Sequence, residues 1–460
     1  MCRWRVENDR GPKFLVILRA SKAILPILLK YLRKPGPTAW LQITGLLRGG
    51  APFLQSLLLS KIWGPGPFLA GFETLSMAVN AAAFTGLWTV TVYFVPAYSG
   101  ASSLRERETV MSLSLLALFL NGLFAAAAVV AYGCSTGYST AATVGFAVYA
   151  LGSVSAALTE YLLWAQKKYV ATGVYSVMAY GLTAFAPPVA AYFFRSLETT
   201  GLVLAAVALL RWGYAWILAR GSLTFARGGG WKKQGKLMSA PALSSLLGGS
   251  VAYIDGFLSR HRLGESEFLF FRYGGRELPV ALMLANAVAT AGAGFVAAAH
   301  RDGNPEAGYR KLKADGARLM HVVFPLTMLL LVVSGPLFEL VYHAGLRPAA
   351  QIFDLFLLLA VPRMLFPQSA LLGLGLNKYT LYGSLWEWPV HVGLSLALIG
   401  PMGMFGPALA TLTAYFFGKG MLAFYAHKAG VKLHQYTATR LWALYSLGVF
   451  AVYVAKSLIF

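Results

Sequence analysis

The sequence predicts an all-α, polytopic membrane protein of about thirteen transmembrane helices, and three observations carry that expectation. Apolar residues make up 57% of the 460-residue chain, charged residues only 12%, and mean hydropathy is +0.61, whereas soluble domains carry roughly 25% charged residues. A soluble fold of this composition would lack the polar surface to stay in water. The apolar residues also come in runs of the length that a bilayer demands, about 20 residues for a core of about 30 Å. Finally, runs such as Leu202 to Leu210 are apolar on every face, which excludes the alternating pattern of a membrane β-barrel.

Polar breaks delimit the spans in order at 38–63, 71–97, 108–133, 138–163, 170–194, 199–220, 237–261, 268–299, 315–342, 350–374, 379–400, 403–427 and 438–459. The segment 1–37 sets Lys13, Arg19, Lys22, Lys30, Arg33 and Lys34 among Leu and Ile, the pattern of an amphipathic helix lying on the cytoplasmic surface. Its interior charges exclude a span. No small-residue cleavage site follows, so a removable signal peptide is not expected.

Lys and Arg are retained on the cytoplasmic side of membranes. With the amino terminus inside, cytoplasmic segments hold 27 of them and the opposite side six. This bias sets the expected topology, a multi-pass protein of the cytoplasmic (inner) membrane. It also accounts for much of the net charge of +22 through topology and anionic lipid, so nucleic acid is not an expected partner. Cys2 and Cys134 are the two cysteines and fall on opposite sides, so neither a disulfide nor a metal site is expected.

Shifting the sequence by 200 residues aligns Leu46, Leu47, Gly49, Leu58, Gly64, Phe68 and Leu69 with Leu246, Leu247, Gly249, Leu258, Gly264, Phe268 and Leu269, seven identities in 28 positions. Two hundred residues contain six spans, and an even number returns the chain to the same side. The expected halves, 38–220 and 237–430, are therefore parallel repeats, a type that places a substrate site between them. The segment 221–236, with Gly228-Gly229-Gly230, is either a hinge or a plain cytoplasmic loop, and 431–460 adds a terminal helix.

The turn Trp63-Gly64-Pro65-Gly66-Pro67-Phe68 and the opening Met238-Ser239-Ala240-Pro241 of span seven resemble the multidrug/oligosaccharidyl-lipid/polysaccharide (MOP) exporter superfamily. The stretches Phe271 to Pro279 and Gly403 to Ala410 are similar to its polysaccharide-export and oligosaccharide flippase branch. The resemblance covers roughly residues 38–430 and implies two six-helix lobes, transport by alternating access, and a basic residue on span one facing the central cavity. The thirteenth span departs from the twelve or fourteen of many members.

Ionisable groups at mid-bilayer cost at least ~2.5–3.5 kcal/mol, so each is expected to face a cavity or a partner. Arg48 lies deep in span one, either as a cationic post in a cavity or paired with a carboxylate such as Glu73. Arg363, between Pro362 and Pro367, either repairs a proline-broken helix or binds substrate. Arg272 and Arg276, spaced i, i+4, are expected on one helix face, with Asp255 as partner for one of them and Glu277 adjacent, as an ion-pair gate or a phosphate contact. Arg211 either lines the cavity or reaches the interface. Glu387 and Lys419 are expected to pair as an inner latch. Trp386 and Trp388 suit sugar stacking or the membrane interface, and His321 and His391 suit packing or proton carriage.

These residues point to a flippase for a lipid-linked oligosaccharide, because guanidinium binds the pyrophosphate through paired donors. A drug/cation antiporter needs a deep carboxylate, whereas Glu73, Asp255 and Asp354 lie toward outer span ends. A polymerase or ligase needs a large outer loop, which is lacking, so an enzyme is not expected. The expected partners are a lipid-linked glycan and membrane lipid, with a monomeric protein and no cofactor; coupling to H⁺ or Na⁺ stays open.

Overall fold

The computed structural model describes residues 37–219, 250, 253–276 and 279–459. The basic segment 1–37 except its last residue, the linker 221–236, the start of span seven and Glu277 lie outside the described residues. The described residues are 88% helical with no strand. In order the helices are α1 (Pro37–Trp63), α2 (Pro67–Gly100), α3 (Leu104–Thr136), α4 (Thr140–Ala156), α5 (Leu158–Ala165), α6 (Tyr169–Phe194) and α7 (Leu197–Ala219). After them come α8 (253–262), α9 (Glu265–Gly274), α10 (Pro279–Arg301) and α11 (Pro305–Val341). The last are α12 (Ala349–Leu357), α13 (Ala360–Arg363), α14 (Pro367–Gly373), α15 (Asn377–Met402), α16 (Phe405–Lys428), α17 (Leu433–Tyr436) and α18 (Thr439–Ile459).

Local chemistry sets the ends. Ser103, Ser139 and Asn304 cap α3, α4 and α11 by accepting from the backbone N–H three residues on, which satisfies donors that a helix start leaves orphaned. Gly64, at φ +66°, makes the tight turn from α1 to α2 and packs beneath the His343 ring. Seven helical stretches, Leu104–Thr136, Thr140–Ala165, Tyr169–Phe194, Leu197–Ile217, Pro305–Val341, Ala349–Gly373 and Thr439–Leu458, are long and apolar enough to cross a membrane.

Three predicted spans are broken rather than continuous. The predicted helix 268–299 splits into α9 and α10, because Gly275 and Arg276 leave the helix and Pro279 restarts it. Span four bends at Ala157, whose N–H turns to Val154 O. Span ten falls into α12, α13 and α14. Its prolines Pro362 and Pro367 remove two backbone donors, and Leu365 N–H bonds Pro362 O in place of Val361 O. Trp442 Nε1 of α18 donates to the vacated Val361 carbonyl at 2.8 Å.

The main helix packings fall within 37–219 or within 253–459. In the first half α1 packs on α6, α2 on α3, α3 on α4, α4 on α7, and α6 on α7. Six spans later the partners correspond: α10 on α11, α11 on α12, α12 and α14 on α16, and α15 on α16, with α8 bonded to α15 through Asp255 and His391. The helix α18 stands apart from this scheme and lies along α11.

Candidate functional site

The two halves are tied at one end of the molecule, the end of the Gly64 turn. Glu73 of α2 is buried and receives both arginines: Arg272 Nε donates to Oε2 at 3.1 Å and Arg276 Nη2 to Oε1 at 3.0 Å. The Tyr273 hydroxyl lies 3.1 Å from Glu73 Oε1 and 3.1 Å from Ser56 O, and the Arg276 guanidinium stacks on the Tyr273 ring. Beside them Lys61, at the end of α1, donates to the carbonyls of Leu340 (2.9 Å) and Tyr342 at the end of α11, where a helix carboxyl end attracts a cation. Two expectations are corrected here. Arg276 lies beyond the end of α9, so the arginines converge through the helix break rather than along one face. Their partner is Glu73, not Asp255.

The second constellation forms deep in the first half. Arg48 sits about 16 Å along α1 by helical rise and its side chain is 45% exposed. It pairs with Glu160 of α5 at 3.3 Å and with the Tyr161 hydroxyl. Glu160, rather than Glu73, is therefore its carboxylate. The Tyr180 hydroxyl donates to the other Glu160 oxygen at 2.5 Å, and Arg211, buried rather than interfacial, lies over the Tyr180 ring at 5.4 Å. Bends in the helix bring this about: the break at Ala157 turns Glu160 inward, and Gly173 lets α6 approach the Trp40 ring of α1.

The second half carries cations of its own. Arg363, at the end of α13, stacks on Tyr415 at 5.2 Å, and Lys419 lies over the same ring at 5.5 Å. The Glu387 carboxylate lies against Gly418 and interacts electrostatically with Lys419, but no ion pair within 4 Å joins them among the described residues, so the predicted latch is not formed. Asp255 instead binds His391 Nε2 at 2.8 Å, Ser395 at 2.6 Å and Thr411 at 2.7 Å. Trp388 Nε1 donates to Ser250 at 3.0 Å, while Trp386 is exposed. His321 bonds the Tyr445 hydroxyl of α18. Sequence reasoning missed Glu160, Tyr180, Tyr415 and Lys61. It also left Asp354 without its partner, Lys456 Nζ at 2.6 Å. Glu160 and Lys61 sit near the ends of their expected spans, and the tyrosines carry no charge, so none gave the mid-span charge signal that singled out Arg48.

No protein-family model and no curated relative matches the sequence. Solved structures do match in shape. One is the lipid II flippase MurJ in an inward closed conformation, 14% identical, covering 90% of this chain and 98% of that one with a TM-score of 0.63. Another is a multidrug resistance MATE family transporter in an inward-facing conformation, 14% identical over 85% and 98% with a TM-score of 0.61. A third is a MOP superfamily transporter from Pyrococcus furiosus described as having a binding pocket of reversed polarity, 12% identical over 87% and 97% with a TM-score of 0.56. The chain therefore has the polytopic all-α fold of the MOP superfamily transporters.

Proposed function

We propose that this protein is a membrane transporter that carries a lipid-linked oligosaccharide, joined to its lipid by phosphate or pyrophosphate, from the cytoplasmic to the outer leaflet by alternating access. The observation that carries the reading is the set of cations at mid-span on both halves. Arg48 is half-exposed there, and Arg363 and Lys419 flank one tyrosine ring. A guanidinium offers phosphate two parallel donors and an ammonium adds a point charge. Tyr161, Tyr180 and Tyr415 add hydroxyls and ring faces suited to sugar. In this reading Lys419 belongs with the substrate cations rather than with a gate.

The proposed topology has thirteen crossings in two six-span lobes with a cytoplasmic amino terminus. The Lys/Arg asymmetry and the helix packings that recur six spans on support it. The Glu73 end is then the outer gate, drawn shut in the present structure. A cation antiporter is the weaker alternative, because three of the four buried carboxylates among the described residues, Glu73, Glu160 and Asp354, are already paired with Arg or Lys, and only Asp255 is not.

The test is reconstitution into liposomes with a fluorescent polyprenyl-pyrophosphate oligosaccharide, scored by its accessibility to an external lectin. Wild type translocates the probe, while Arg363→Ala and Lys419→Ala slow it by at least about tenfold, the worth of one charge-assisted hydrogen bond. Unchanged rates in both variants refute the assignment. Proton- or sodium-driven export of a cationic dye without lipid movement refutes the flippase reading.

A further inference from the structure

His321 stands outside the ion-pair constellations. It lies on α11, within a stretch long and apolar enough to cross a membrane, and it is exposed. Its Nδ1 meets the Tyr445 hydroxyl of α18 at 2.8 Å. Neutral imidazole carries one N–H and tyrosine one O–H, and the bond between them uses one of the two. The other donor hydrogen finds no acceptor among the described residues, on a surface where hydrocarbon offers none either.

The position of this pair in the bilayer follows from the charges around it. The 20 residues 319–338, between Arg318 and Glu339, include no Asp, Glu, Lys or Arg, and 20 helical residues span about 30 Å, the thickness of the hydrocarbon core. Arg318 therefore marks the core boundary at the end opposite the Gly64 turn, the cytoplasmic end in the proposed topology. The helix α18 runs parallel to α11, with Tyr445 beside His321 and Lys456 beside Ser334, so Arg440 at its start reaches the same boundary. The Arg318 side chain is 78% exposed, and Arg440 is exposed as well. By helical rise His321 lies about 5 Å deeper than Arg318, and Tyr445 about 8 Å deeper than Arg440. A phospholipid presents its groups in that order, phosphate first and ester carbonyls beneath. Around and below the pair, α11 exposes Val322, Leu329 and Val332, and α18 exposes Leu444 and Leu447, surface that matches acyl chains.

We infer that Arg318, Arg440 and the His321–Tyr445 pair form a binding site for an anionic phospholipid at the seam of α11 and α18. Asp315 accepts from Arg318 at 3.0 Å and lies 3.6 Å from Lys311, so those three residues sum to one positive charge and Arg440 adds a second. A zwitterionic lipid brings its own cation to such a surface, whereas an anionic lipid brings only the charge that complements it. The lipid phosphate takes guanidinium donors from two helices, and an ester carbonyl takes the spare hydrogen of the His321–Tyr445 pair. Within α18 only Ser446 and Val449 are buried among the described residues, so a lipid held by both helices adds a tie where protein contacts are few. Neither helix contributes to the constellations of Arg48, Arg363 and Lys419, which sets this lipid apart from a transported one. The inference is independent of what the protein carries.

The test is native mass spectrometry of the full chain in detergent, measuring retention of phosphatidylglycerol against phosphatidylcholine of the same acyl chains. Wild type retains one phosphatidylglycerol in preference to phosphatidylcholine. Arg318→Gln with Arg440→Gln weakens that retention by about tenfold or more. His321→Leu weakens it by roughly fivefold, the worth of one hydrogen bond, at a site too exposed to upset folding. Lys428→Gln, which removes an exposed cation at the same end of α16, leaves it unchanged. Equal losses in Lys428→Gln and in the double arginine variant overturn the inference in favour of a diffuse basic surface. Equal retention of the two lipids by wild type, or full retention by His321→Leu, also overturns it. Displacement of the bound phosphatidylglycerol by an equimolar polyprenyl phosphate overturns it in favour of a site for the transported lipid.

Discussion

Glu73→Gln is the sharpest perturbation of the closed end. The amide keeps the size of the side chain but removes the charge that Arg272 and Arg276 share at 3.1 and 3.0 Å. Breaking a buried ion pair from one side costs about 3–5 kcal/mol. The guanidinium side chains are 23% and 20% exposed, so water recovers part of that loss, and the lower figure of about 3 kcal/mol applies. At about 1.4 kcal/mol per tenfold change, the closed arrangement loses roughly a hundredfold in population relative to any arrangement in which the two halves part there. Spin labels at Ser135 and Ala344, both exposed and on opposite halves at this end, measure that separation once Cys2 and Cys134 are replaced by Ser. Wild type should give one short distance and Glu73→Gln an additional longer one, with the Arg272→Ala/Arg276→Ala variant behaving alike. An unchanged distance distribution in Glu73→Gln would refute the idea that this carboxylate holds the halves together.

Three further outcomes follow from the geometry. Arg48→Met should lower thermal stability more than Arg48→Met combined with Glu160→Gln, because the single change strands a buried carboxylate; equal melting temperatures in detergent would count against the pairing. Gly173→Val should destabilise by about 1–3 kcal/mol through overpacking, since a Cβ there would lie 1.9 Å from Trp40 Cε3, and Trp40→Ala should restore part of the loss in the same melting assay. Lys456→Met should free α18 from α12, seen as faster proteolysis of 439–459, whereas Lys456→Met with Asp354→Asn should be closer to wild type.

The fold was legible because a span is a statement about composition over about 20 residues, and most described helices lie within a few residues of the expected runs, although α11 starts at Pro305, ten residues before the expected 315. The break at Pro362 and Pro367 was legible from its prolines, whereas the one before Pro279 was not read although a proline marks it, and the one at Ala157 has no proline to mark it. Glu160 lies three residues from the expected end of span four at 163 and was not singled out; the helix runs on to Ala165. Pairings were less legible, since depth along a span says nothing about the direction in which a side chain points. Asp255 and Arg272 are at similar depth yet have different partners. One pairing was latent in the repeat. Glu73 and Tyr273 are related by the same offset of 200 and touch each other, as expected of residues beside an axis if the proposed repeat relates the halves. The offset was visible, but the axis requires coordinates.

The ion pair between Asp354 and Lys456 has a consequence for how the chain is made. The two residues are 102 positions apart, so at about 5–20 residues per second the carboxylate waits roughly 5–20 s for its cation. Throughout that interval α12 must be accommodated with an unmatched acid, and the Val361 carbonyl likewise lacks the Trp442 donor. Span ten is thus among the last segments to be completed although it is not among the last to be synthesised. During biogenesis it depends on insertion machinery or on neighbouring helices for shelter until α18 arrives, and α18 serves as the closing piece of the second half.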